Sequence, residues 1–143
     1  MTSYFTPKSQ LNIKPLPLPT PPSETPVYPQ NMNDYDVVSL TQLYTQYNAI
    51  YSYAVLQLAM VEAKSIEVRD EMEKEITLRF VHSDSKSTTE RKERAKASKK
   101  VIGLQSNLSL LNQDLVVLRA LVDGYKTSLF SIKHELERRT RYE

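Results

Sequence analysis

Six basic residues crowd into ten positions of this 143-residue chain: Arg91, Lys92, Arg94, Lys96, Lys99 and Lys100, with Lys86 just ahead of them. Cations at that density attract phosphate oxygens, and each phosphate they neutralise makes binding weaken with salt. At 100° per residue, Arg91 and Lys92 share a helix side with Lys99, and Lys96 and Lys100 lie four apart on a common face. The result is a broad positive surface rather than a narrow stripe. The competing reading is a solvated helix start that keeps this part of the chain in water. Net charge is only +2, so the distribution carries the argument. Residues 81–100 hold seven positive and three negative charges, whereas residues 1–36, 37–80 and 101–143 net −1, −2 and +1.

Other chemistry is sparse. The two histidines, His82 and His134, have no second ligand at helical spacing. His134-Glu135 begins like the zinc motif H-E-x-x-H, but Arg138 stands where the second histidine must be. With two isolated glycines there is no loop to cradle a phosphate, and without cysteine there is no thiolate or disulfide. The expectation is a protein that is not an enzyme and holds no metal or cofactor.

The elements that must carry the cations are legible from periodicity. Val101, Leu104, Leu108, Leu111, Leu115, Leu118, Val122, Tyr125, Leu129, Ile132 and Leu136 alternate steps of three and four without a slip. A mean spacing of 3.5 residues keeps such a stripe against a partner helix. Upstream, Leu40, Tyr44, Tyr47, Tyr51, Ala54, Leu58, Val61, Ser65, Val68 and Met72 keep a similar rhythm, which slips by one to Ile76 and Phe80. Ser39 with Gln42 reads as a capping box, and Ser87 with Glu90 as a second one. The polar run 81–88 favours a turn. The pattern predicts an all-α fold, a long antiparallel coiled-coil-like hairpin. One helix spans about 39–80, the turn 81–88, and one unbroken helix about 88–139.

That geometry sets the tyrosine-bearing start of the first helix beside the end of the second, near Arg138, Arg139 and Arg141. These three arginines form a second candidate phosphate site. Tyr44, Tyr47 and Tyr51 belong to the packing stripe, so Tyr53 is the better candidate for stacking on a base. Helix two also carries apolar residues off its stripe, namely Ile102, Leu110, Val116, Val117, Leu121 and Phe130. One partner helix cannot cover both faces, so the chain is expected to self-associate into a bundle or ring. Gly103 and Gly124 each cost a helix about 1 kcal/mol relative to alanine. Close approach of a backbone, a bend at an interface and a tolerated local weakness all remain open.

Residues 1–36 form a separate, proline-rich arm, with all eight prolines between Pro7 and Pro29. Proline fixes φ and drives its predecessor out of the helical region, so the arm should be extended. It is either a disordered tail or a strap on another subunit or protein, anchored by Tyr4, Phe5, Leu16, Leu18 and Tyr28. Pro19 and Pro22 make a minimal PxxP. No apolar run approaches the ~20 residues of a membrane span, and no signal-like apolar core opens the chain, so a cytoplasmic protein is expected.

The order of features over residues 39–141 resembles the UvsY-type recombination mediators of tailed bacteriophages. A tyrosine-bearing helix, Leu43-Tyr44-Thr45-Gln46-Tyr47, comes first, and a polar turn then leads into Thr88-Thr89-Glu90-Arg91-Lys92-Glu93-Arg94-Ala95. A leucine-rich helix closes with Ser128-Leu129-Phe130-Ser131-Ile132-Lys133-His134-Glu135-Leu136-Glu137-Arg138-Arg139. The chain departs from that group in its proline-rich arm and its lack of tryptophan. The resemblance implies an oligomeric helical accessory protein of the host cytoplasm that binds single-stranded DNA. Such a protein helps load a recombinase onto strands covered by single-strand-binding protein. The alternative is a phage virion or scaffold protein whose arm and hairpin make subunit contacts.

Overall fold

The computed structural model describes residues 21–23, 25–83 and 87–141. A short 3-10 turn at Met32–Asp34 precedes three helices: α1 over Val37–Val81, α2 over Thr88–Lys96 and α3 over Lys99–Arg141. No strand occurs among the described residues. α1 and α3 pack as an antiparallel hairpin, as the pairings Tyr47 with Tyr125 and Glu75 with Lys100 require. None of the described helices is long and apolar enough to cross a membrane.

The eleven positions of the α3 stripe divide by burial. Val101, Leu111, Leu115 and Ile132 are buried, and the other seven positions are half-buried. All six off-stripe apolar residues of α3 are exposed, from Leu121 at 41% to Phe130 at 71%. On α1 the seam sits one residue away from part of the expected set. Leu40, Leu43, Tyr47, Ile50 and Ala54 are buried, whereas Tyr44 and Tyr51 are half-buried on the flank. A tyrosine carries a hydroxyl that wants water or a partner, so the neighbouring aliphatic side chains take the dry centre.

Two expected boundaries shift, each for a local reason. α1 starts at Val37 because Asp36, not Ser39, is the cap: its Oδ1 accepts the Ser39 amide at 2.7 Å. A carboxylate there satisfies an orphan amide and suits the positive end of the helix dipole. Ser87 does cap α2, accepting the Glu90 amide as expected. The helix expected to run unbroken over 88–139 is instead interrupted at Ala97 and Ser98. The Ser98 amide bonds back to Ala95, while Ser98 Oγ accepts the Val101 amide at 3.3 Å. One serine thus ends α2 and caps α3, the competition with helix that short hydroxyl side chains bring.

The helices contribute to two compact units. One is built on Ala59–Val116, the other on the described residues of Ser9–Leu58 and Val117–Glu143. In the first, the buried side chains include Val61, Ser65 and Val68 from α1, Ala95 from α2, and Val101, Leu111 and Leu115 from α3. In the second, Leu40, Leu43, Tyr47, Ile50 and Ile132 form the core, with Met32, Tyr35, Tyr125, Leu129 and Leu136 packed against it.

Residues 25–36 lie on this second core within the same chain. Pro29 is buried, Tyr28 meets Tyr47 edge-on at 6.3 Å, and Tyr47 Oη donates to the Pro26 carbonyl. The other expected anchors, Tyr4, Phe5, Leu16 and Leu18, lie outside the described residues, as does Pro19.

Candidate nucleic-acid interface

The basic cluster occupies α2 and the first turn of α3, in the Ala59–Val116 unit. Its members differ in how much of their charge is already used. Arg94 pairs with Glu90 at 2.8 Å, both largely exposed, an interaction that contributes little in water. The Arg91 guanidinium lies over the Phe80 ring, 6.0 Å from its centroid. Lys100 reaches Glu75 at 3.3 Å, where Arg79 already donates at 2.9 Å. The hydrogen bond from Arg79, reinforced by Lys100, holds the Glu75 carboxyl below its usual range. Lys86 lies outside the described residues.

Lys92, Lys96 and Lys99 remain. All three are exposed and make no ion pair among the described residues. Lys92 and Lys96 are four apart on α2 and therefore neighbours on its surface. Lys99 opens α3 just beyond the Ser98 break. Arg94 and Lys96 also stand in the last turn of α2, where positive charge complements the helix dipole and helps so short a helix persist. The cluster is therefore three ammonium groups without ion pairs among the described residues, backed by guanidinium groups anchored on Phe80 and Glu90.

The C-terminal arginines, in the other unit, divide differently. Arg139 is committed to its own chain: its guanidinium donates to the carbonyl of Tyr35, to that of Met32 at 2.7 Å, and to Glu135 at 2.9 Å. Its side chain is only 18% exposed. That use removes Arg139 from the expected phosphate contacts. Arg138 grips Glu135 with two bonds, at 2.6 and 3.1 Å. The two arginines hold the Glu135 carboxyl down to about 2, Arg138 contributing most. Arg141 is exposed and makes no ion pair among the described residues.

The aromatic residues also sort by burial. Tyr47 is 5% exposed, and burial pushes its hydroxyl above the ordinary range. Tyr53, the expected stacking candidate, is half-buried and accepts a hydrogen bond from Gln57 at 3.1 Å. Among the described phenylalanines and tyrosines Phe130 is the most exposed, with the His134 ring parallel to it. Its position off the apolar stripe was the available sequence signal, but that position alone does not separate a stacking surface from a subunit contact. Among the described residues no three His, Asp or Glu side chains converge on a cation-sized site. No protein family, curated protein or solved structure matches the chain.

Proposed function

We propose that this chain is an oligomeric helical accessory protein that binds nucleic-acid phosphate, with single-stranded DNA as the substrate class. The observation that carries this reading is the trio Lys92, Lys96 and Lys99, exposed and without ion pairs among the described residues. On α1 the exposed carboxylates Asp70, Glu71 and Glu73 are interleaved with cations, and such a surface repels phosphate as well as attracting it, whereas residues 88–100 carry six cations against two carboxylates, Glu90 and Glu93. Three ammonium groups on one chain make a weak site, with a modest salt dependence. Repetition around an oligomer multiplies it. The exposed off-stripe residues of α3, Leu110, Val116 and Val117 among them, support self-association. In this reading the protein serves recombination as a loading factor for a recombinase on strands held by single-strand-binding protein.

A second reading has its own observation. The same exposed apolar residues, with residues 25–36 strapped to the hairpin, suit a phage virion or scaffold component in which helices pack between subunits.

Fluorescence-anisotropy titration of single- and double-stranded oligonucleotides at two salt concentrations separates the readings. Tight, salt-sensitive binding that prefers single strands and disappears in Lys92→Glu/Lys96→Glu/Lys99→Glu, with particle size unchanged, is the expected result. No binding at low salt overturns it and leaves the assembly reading.

A further inference from the structure

We infer that Phe130 and His134 form a base-stacking platform for single-stranded nucleic acid, a binding site separate from the basic cluster on α2. The inference rests on the proposed function for its ligand class and on the outer surface of α3 for its geometry.

Phe130 is 71% exposed, and it breaks into solvent on the side of α3 away from Leu129, Ile132 and Leu136, which face the core. The His134 ring lies one helical turn on, nearly parallel at 9°, with centroids 6.3 Å apart. Rings that are parallel but this far apart are offset, so each leaves ring surface open. A flat, wet π-surface is unfavourable to leave bare and is what an unpaired base covers, with a gain of about 1–3 kcal/mol per base. The flanks suit a charged strand. Lys126 and Lys133 stand four residues before and three after Phe130, positions that are neighbours on a helix. Both are exposed and without ion pairs among the described residues, as is Arg141. Arg141 and Arg138 join His134 and Glu137 around a hollow of about 170 Å3.

Other ligand classes fit less well. A membrane surface would need a continuous apolar ridge, and the positions along this one include Asp123, Thr127 and Glu137. A duplex already stacks its own bases, so an open ring favours a single strand.

The test measures anisotropy of the full chain with two probes of equal length and charge, a labelled oligothymidylate and a labelled abasic strand. Wild type should bind the oligothymidylate more tightly. Phe130→Ala should weaken that binding about five- to hundredfold and leave the abasic strand unchanged. Phe130→Tyr should restore it. Lys92→Glu/Lys96→Glu/Lys99→Glu should weaken both probes together. If Phe130→Ala alters neither probe, or both equally, the platform is overturned while the basic-cluster reading stands. A change of particle size in Phe130→Ala assigns the ring to a subunit contact and overturns the platform as well. If the charge-reversed variant binds both probes normally and Phe130→Ala keeps its selective loss, the platform holds and the α2 cluster fails. Wild type that binds neither probe at low salt overturns both.

Discussion

The guanidinium of Arg139 donates to the carbonyl oxygen of Met32 at 2.7 Å, across 107 residues of chain. The same group reaches the Tyr35 carbonyl, so the last turns of α3 hold the segment just ahead of α1. Glu135 stands behind it at 2.9 Å and fixes the fork. This contact closes the core of Leu40, Leu43 and Ile132, against which Met32 and Tyr35 pack.

Arg139→Ala should therefore destabilise the protein by about 1.5–3 kcal/mol, the range for hydrogen bonds to charged groups. Arg139→Lys should recover only part of that, because an ammonium cannot span two carbonyls and a carboxylate as a planar fork does. Urea denaturation gives the magnitude. Amide exchange gives the location: protection should fall first at residues 32–40. Unchanged exchange there would show that the contact is not what holds the segment.

Acid should loosen the same place. The Glu135 carboxyl sits at about 2 in the folded protein, below its ordinary value of 4.5, chiefly through the Arg138 hydrogen bond and then the Arg139 one. A depressed carboxyl contributes stability that is complete above its unfolded value and disappears as pH falls through the folded one. The loss should run from about pH 4.5 down to about pH 2. Asp36 and Glu75 are lowered too and act in the same direction. The readout is thus the difference between wild type and Glu135→Gln in urea midpoints across that window. The variant should be less stable at neutral pH, and the gap should narrow as acid is added. A gap that stays constant would mean Glu135 does not couple to folding.

The adjacent pair Leu110 and Leu111 separates the two faces of α3. Leu111 is 4% exposed and Leu110 is 59% exposed. Leu111→Ala should cost about 2–4 kcal/mol through lost burial and a residual cavity. Leu110→Ala should stay within about 0.5 kcal/mol if nothing covers it. Measured by denaturation at two protein concentrations, a larger, concentration-dependent cost at Leu110 would reveal a subunit contact.

Much of this was legible in the sequence because burial along a helix is periodic. The 3.5-residue spacing from Val101 to Leu136 picks out the inward face of α3, and the residues it leaves over are the exposed ones. Periodicity was less able to choose between Leu43 and Tyr44, or Ile50 and Tyr51, since both sets keep the rhythm and only solvation of the phenol hydroxyl decides. It could not register the break at Ser98, whose cause is a hydrogen bond from Val101 to a side-chain oxygen. Nor could it foresee that Arg139 belongs to Met32 and Tyr35, a contact set by the hairpin's closure rather than by neighbouring residues. Of the candidate site, the charge density was readable. Which lysines stay unpaired was not, because Glu75 is brought to Lys100 by tertiary packing.

The glycines supply a last test. A Cβ added at Gly103 or Gly124 would meet nothing within 4 Å among the described residues, so no close approach among them explains either glycine. Both lie well inside α3 and are exposed. Glycine there carries extra backbone entropy in the unfolded state and buries no side chain. Gly103→Ala and Gly124→Ala should each stabilise the isolated chain by about 1 kcal/mol. If either variant is instead less stable, or shifts particle size, a neighbouring backbone must approach α3 at that turn. Thermal denaturation with light scattering, run on both variants, distinguishes a merely suboptimal helix from one shaped for contact.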